Sequence, residues 1–222
     1  MLANFGALVR KDLILELRSG RLFLELVTLS LLILVVLLIA YGPSGSRHGA
    51  FAAAAVWVAM VFSALPASRL ALAAEGDNDC IKGLILSPVD PATVYAAKTS
   101  VVALSMTAGA MITLALSILL FNLELSMRLA RLIPVLLLGT VGLAALGTLL
   151  GTMTMRLELG DVMLALLGTP LYVPALIAGI SASIDLLNGA SLWACGPPLK
   201  VLLAWDLLFG TCGCLLYEYL VS

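Results

Sequence analysis

The sequence predicts an all-α polytopic membrane protein, six transmembrane helices preceded by a short interfacial helix, and three observations carry that expectation. Hydrophobic residues make up 62% of the 222 residues and only 11% are charged, against roughly 45–50% apolar and about 25% charged in ordinary soluble domains. Mean hydropathy is +1.15. The apolar residues fall into six runs long enough to cross ~30 Å of hydrocarbon, with the few charges gathered at their ends. Six such runs with short links use nearly the whole chain, so residues 1–222 read as one membrane domain without room for a soluble catalytic one.

The first 20 residues mix Arg10, Lys11, Asp12, Glu16 and Arg18 with Leu and Ile, lack proline and end on Gly20, a composition that predicts a helix over residues 3–20. Placed at 100° per residue its charges scatter around the axis, so the segment lacks the single apolar face of a lipid-surface helix, and an interfacial helix resting partly against protein is expected. Acids among the bases and the lack of a small-residue cleavage site argue against a cleaved signal peptide.

The first span is expected at about 22–41, with Arg21 and Glu25 at an i,i+4 spacing that permits an ion pair at the headgroup boundary. The turn GPSGSRHG ends it, and the second span follows at about 50–73 with Pro66 and Arg69 in its last third. Residues 74–94 form the longest polar interruption, yet they enclose the apolar stretch Ile81 to Leu86 and two prolines, the pattern of a structured loop. Asp90 before Pro91 fits an N-cap followed by proline at the first helical position, so a short helix is expected there, leading into a third span at about 95–121.

The fourth span, about 132–155, carries Gly139, Gly142, Gly147 and Gly151; the last two form a GxxxG pair that lets helices approach closely in lipid. The fifth, about 161–184, contains Pro170 and Pro174 one turn apart, which predicts a bend that is either structural or a hinge. LLNGASLWACGPPLK then suggests an interfacial or re-entrant element before the sixth span at about 199–220. Asp206 lies inside that last span, where an acid is costly unless it faces protein or water, and it reads as a packing or gating residue ahead of a proton relay.

Counting Lys and Arg on alternate sides gives eight (Arg10, Lys11, Arg18, Arg21, Arg69, Lys82, Lys98, Arg156) against four (Arg47, Arg128, Arg131, Lys200). That bias expects both termini and the 74–94 loop in the cytoplasm, with Arg128 and Arg131 against it.

The remaining chemistry is spare. The net charge of −1 offers no basic field for nucleic acid. No G-x-x-x-x-G-K-[ST] occurs, so ATP, if used, belongs to a partner. One histidine, His48, cannot build a multi-His site, and it reads as a loop side chain before a haem or metal ligand. Cysteines 80, 195, 212 and 214 show no metal or C-x-x-C spacing and read as packing residues. No catalytic triad or intramembrane carboxylate pair is evident, so a non-enzymatic subunit is expected, with no directly bound cofactor or metal.

Four segments carry a family resemblance: RKDLILELRSG at the N-terminus, DCIKGLILSPVDPATVYAAK leading into the third span, ALGTLLG in the fourth and LLGTPLYVPALI in the fifth. With these the chain resembles, over nearly its full length, the cytochrome c maturation protein B family (CcmB, haem exporter protein B), the membrane half of a type-2 ABC transporter. The resemblance implies an inner-membrane complex with a soluble ATPase (CcmA), the haem-handling protein C (CcmC), the small protein D (CcmD) and the haem chaperone protein E (CcmE), with two copies of the subunit per ATPase dimer. ATP would be used in the partner, and haem would be a transported or handled ligand. It further implies that the loop from Gly83 to Tyr95, with Leu84, Leu86, Pro88, Asp90 and Pro91, couples to the ATPase. Residues 5–18 would be the interfacial connecting helix. Haem export and ATP-driven release of the haem chaperone are competing roles; the single histidine favours the second. A membrane subunit of another type-2 ABC exporter, for lipid, polysaccharide or drug, is the alternative, and an intramembrane enzyme or passive channel the outside case.

Overall fold

The computed structural model describes residues 2–41, 48–76, 90–123, 127–155, 157 and 159–221. The described residues are helical with short turns: α1 (Leu2–Ser19), α2 (Arg21–Tyr41), α3 (His48–Gly76), α4 (Pro91–Leu120), a single turn α5 (Met127–Ala130), α6 (Leu132–Thr154), α7 (Gly160–Leu187) and α8 (Gly196–Val221). Among the described residues six segments are long and apolar enough to cross a membrane: Phe23–Ala40, Gly49–Arg69, Pro91–Leu120, Arg128–Thr154, Val162–Leu187 and Gly196–Leu220. The all-α, six-span expectation holds.

α6 is the hub, in contact with α3, α4, α7 and α8. Its sequence is apolar all round, as a helix surrounded by other helices requires, and its glycines sit where neighbours press closest. Trp57 of α3 lies over Gly139 of α6 and Gly179 of α7, in space that a Cβ on either would fill. Its indole N–H donates to the Ser183 hydroxyl at 2.9 Å, which satisfies the polar atom of a fully buried ring. Gly147 faces the Ser68 and Tyr172 hydroxyls, and Gly213 of α8 faces the Tyr95 ring. Lipid chains are as apolar as leucine, so close backbone approach and interhelical hydrogen bonds hold such a bundle together. α2 and α8 are peripheral and expose rows of large aliphatics, including Leu24, Leu32, Val36, Leu207, Leu208 and Leu215.

The ends of the helices follow from turn chemistry. Gly20 at φ +60° separates α1 from α2, its N–H bonded to the Glu16 carbonyl at 2.7 Å. Gly189 at φ +97° ends α7, and Ala190 N–H reaches back to the Asp185 carbonyl at 3.0 Å. Arg128 donates to the Leu187 carbonyl and Arg131 to the Ala190 carbonyl, each at 3.3 Å. Cations at a helix C-terminus satisfy carbonyls that no further turn can reach.

Four local expectations are corrected. The short helix expected at Pro91 and the third span are one element, since Pro91–Leu120 runs without interruption. Between α7 and α8, residues 188–195 are turns and irregular chain, with Ala194 and Cys195 N–H both bonded to the Ser191 carbonyl; the segment is too short to re-enter a bilayer, which removes the re-entrant alternative and leaves the interfacial one. Arg21 and Glu25 do not pair: Arg21 is exposed and Glu25 half-buried. The charges of α1 do not scatter with respect to the protein, because the acids face inward and the bases outward.

Candidate functional site

Of the residues singled out in the sequence, Asp90, Pro91 and Tyr95 and the charges of α1 lie at the end of the bundle where α4 begins and α1 docks. Gly83, Leu84, Leu86 and Pro88 lie outside the described residues.

Asp90 has an extended backbone (φ −60°, ψ 127°) and Pro91 follows at the first helical position, as the sequence predicts. The Asp90 carbonyl takes the N–H groups of Thr93 at 2.9 Å and Val94 at 3.3 Å. Its carboxylate accepts instead from the Thr93 hydroxyl at 3.4 Å and stays exposed.

One turn on, Tyr95 faces inward and is 1% exposed. Its hydroxyl lies 2.9 Å from the Ala145 carbonyl of α6 and 3.1 Å from the Phe209 carbonyl of α8, so its one proton is shared between two helices. The ring packs against Tyr217, centroids 5.7 Å apart, where Gly213 leaves room for it. Tyr95 therefore pins the first turns of α4 to α6 and α8.

Two turns into α4, the Lys98 ammonium reaches the Asp12 carboxylate of α1 at 3.4 Å, with side chains only 6% and 16% exposed. Lys11 joins the same carboxylate at 3.1 Å. Glu16 accepts the Phe23 N–H at 3.3 Å, covering a free donor in the first turn of α2. Leu8 packs on the cluster formed by Val94, Tyr95, Leu149 and Tyr217. Arg10 and Arg18 point outward. The sequence reading missed Lys98 and Asp12 as partners; a lysine inside an otherwise apolar helix was the available signal, because it requires a counter-charge.

The remaining candidates lie deeper. Asp206 of α8 is half-buried with Oδ1 against Gly142 of α6, and that oxygen has no hydrogen-bond partner among the described residues. Pro170 and Pro174 lie within the continuous helix α7 and are both exposed, while Tyr172 between them is fully buried, its hydroxyl donating to the Leu143 carbonyl at 3.4 Å. Gly147 and Gly151 are buried, the first under Ser68 and Tyr172. His48 opens α3. No group of three or more His, Cys, Asp or Glu residues that could hold a metal occurs among the described residues.

Six apolar helices, one of them a glycine-lined hub, with a charged helix tied to one end, define a multi-pass α-helical membrane protein. The family model for the CcmB protein matches residues 3–212. The chain belongs to the CcmB family. It is 29% identical to the Heme exporter protein B of Rhodobacter capsulatus over 174 residues, which cover 78% of this chain and 79% of the relative. It is 31% identical to the Heme exporter protein B of Paracoccus denitrificans over 179 residues, 79% of this chain and 80% of the relative. With the Heme exporter protein B of Pseudomonas aeruginosa it shares 34% over 148 residues, 65% and 64% of the two chains.

Proposed function

We propose that this chain is the non-catalytic membrane subunit of an ABC transporter complex for cytochrome c maturation. In that complex a separate ATPase, CcmA, pushes on the loop at 74–94 and the movement enters the bundle through α4. The family match over residues 3–212 carries the reading. The packing supports a mechanical role for α4. A helix is stiff enough to carry a rigid displacement, and α4 is fastened near its start to α6 and α8 by Tyr95 and to α1 by Lys98. A push at Asp90 and Pro91 would then move α1 and α4 together.

The driven step is haem handling by the complex, with release of the haem chaperone CcmE from CcmC as the work done and CcmD as the small fourth member. The one histidine of the sequence, His48, supports a role beside haem rather than on it. Two copies of the subunit would serve an ATPase dimer in the cytoplasmic (inner) membrane, with both termini inside. Eight cations against four support that orientation. Two of the four have a local structural reason to be where they are, since Arg128 and Arg131 bind carbonyls at and just beyond the end of α7.

The test is ATP turnover by the purified complex. Charge reversal at Asp90, or a helix-breaking change at Pro88 or within Gly83 to Leu86, should abolish complex-dependent turnover while the protein remains membrane-inserted. Unchanged turnover would remove the coupling assignment.

A further inference from the structure

α1 carries a face with no partner among the described residues. Its acids turn inward, Asp12 to Lys98 and Glu16 to the Phe23 N–H. Arg10, Lys11 and Arg18 are exposed, and so are Ile14, Leu15 and Leu17, the last at 76%. At 100° per residue these six fall within roughly half the circumference of the helix, and no acid lies among them. Lys11 bends to Asp12, yet half its side chain stays exposed. Arg10 and Arg18 make no ion pair among the described residues.

Cations interleaved with large aliphatics fit a surface that offers anionic oxygens and, just beneath them, hydrocarbon. An acidic protein surface would take the cations but leave Leu17 and Ile14 without a reason. The position agrees. Gly20 alone separates α1 from α2, and the apolar span starts at Phe23, so the last turn of α1 stands at headgroup level. The exposed apolar surface continues from Leu17 onto Phe23 and Leu24 of that span. We propose that the outward face of α1, Arg10, Lys11 and Arg18 around Ile14, Leu15 and Leu17, binds the headgroups of anionic phospholipids. The proposal is independent of the coupling role, and lipid retention is read without the ATPase.

The full-length chain, purified in detergent with equal amounts of phosphatidylglycerol and phosphatidylcholine, is examined by native mass spectrometry for retained lipid. The wild type should retain phosphatidylglycerol in preference, and the preference should weaken with salt. Changing Arg10, Lys11 and Arg18 to Gln should lower it about fivefold per cation (~1 kcal/mol each beside an anionic surface). Arg10→Lys with Arg18→Lys should keep it, as should Lys200→Gln, an exposed cation outside α1. Equal retention of the two lipids by the wild type overturns the proposal. So does a triple variant that keeps its preference, and if that variant also loses association with the ATPase, the face is a protein-docking surface instead.

Discussion

Lys98 of α4 and Asp12 of α1 form an ion pair at 3.4 Å, joining the helix that follows the polar loop to the helix that precedes the first span. An ammonium this well covered needs a counter-charge, because a buried unpaired charge is strongly unfavourable. Asp12→Asn, which leaves the buried ammonium without that carboxylate, and Lys98→Met should each lower stability by about 1–3 kcal/mol. The double variant should lose less than the sum. Thermal unfolding in detergent measures this, and strictly additive losses would mean that the two residues do not act as a pair.

The glycines of the bundle make a second prediction. A methyl at Gly213 would collide with the Tyr95 ring, and one at Gly139 or Gly179 with Trp57. Each Gly→Ala change should destabilise by about 1–3 kcal/mol through overpacking. Gly210→Ala, in the same helix as Gly213 but with open space around it, should be close to neutral. If all four behaved alike in the same melts, the close approaches would carry no energetic weight.

Asp206 has an oxygen pressed against Gly142 and without a polar partner among the described residues. Such a site needs the shape of the side chain more than its charge. Asp206→Asn should therefore retain cytochrome c maturation, within about twofold, since an isosteric replacement keeps the packing. Loss of maturation by a normally inserted Asn variant would assign the acid a proton or gating role.

The turn between α7 and α8 offers a pH-dependent prediction. Burial, with a smaller contribution from Asp185, pushes the Cys195 thiol up, whereas Trp193 two residues away is 94% exposed. The thiolate is the nucleophile. Cys195 should therefore be largely thiol at neutral pH, and its slow reaction with maleimide should still be rising above the pH at which an exposed thiol levels off. A cysteine placed at Trp193 should react more than about tenfold faster at neutral pH. With a membrane-impermeant reagent it should react from the outer side only; labelling from the cytoplasmic side would reverse the proposed orientation.

The six spans were legible because each is a long run of Leu, Val, Ala and Ile ended by Gly, Pro or charge, and hydropathy over such a length leaves few alternatives. The start of α4 was legible for the same local reason, Asp90 before Pro91. What escaped the sequence depends on which helices become neighbours. A wheel separates the acids of α1 from its bases, but only the position of α4 beside Asp12 and Leu8 shows which side is the inside. The roles of Gly139, Gly179 and Gly213 depend on where Trp57 and Tyr95 land, and no spacing encodes that. Tyr95 illustrates both cases: its place near the head of α4 could be read, its inward direction could not.

The central claim is that an external ATPase engages the loop ahead of α4. A photoreactive amino acid at Leu84, in the complex assembled in native membranes, tests it most directly. Irradiation should join this chain to the soluble ATPase subunit, with a yield that changes when ATP is bound. Cross-linking only to lipid, or to a protein on the outer side of the membrane, would contradict it.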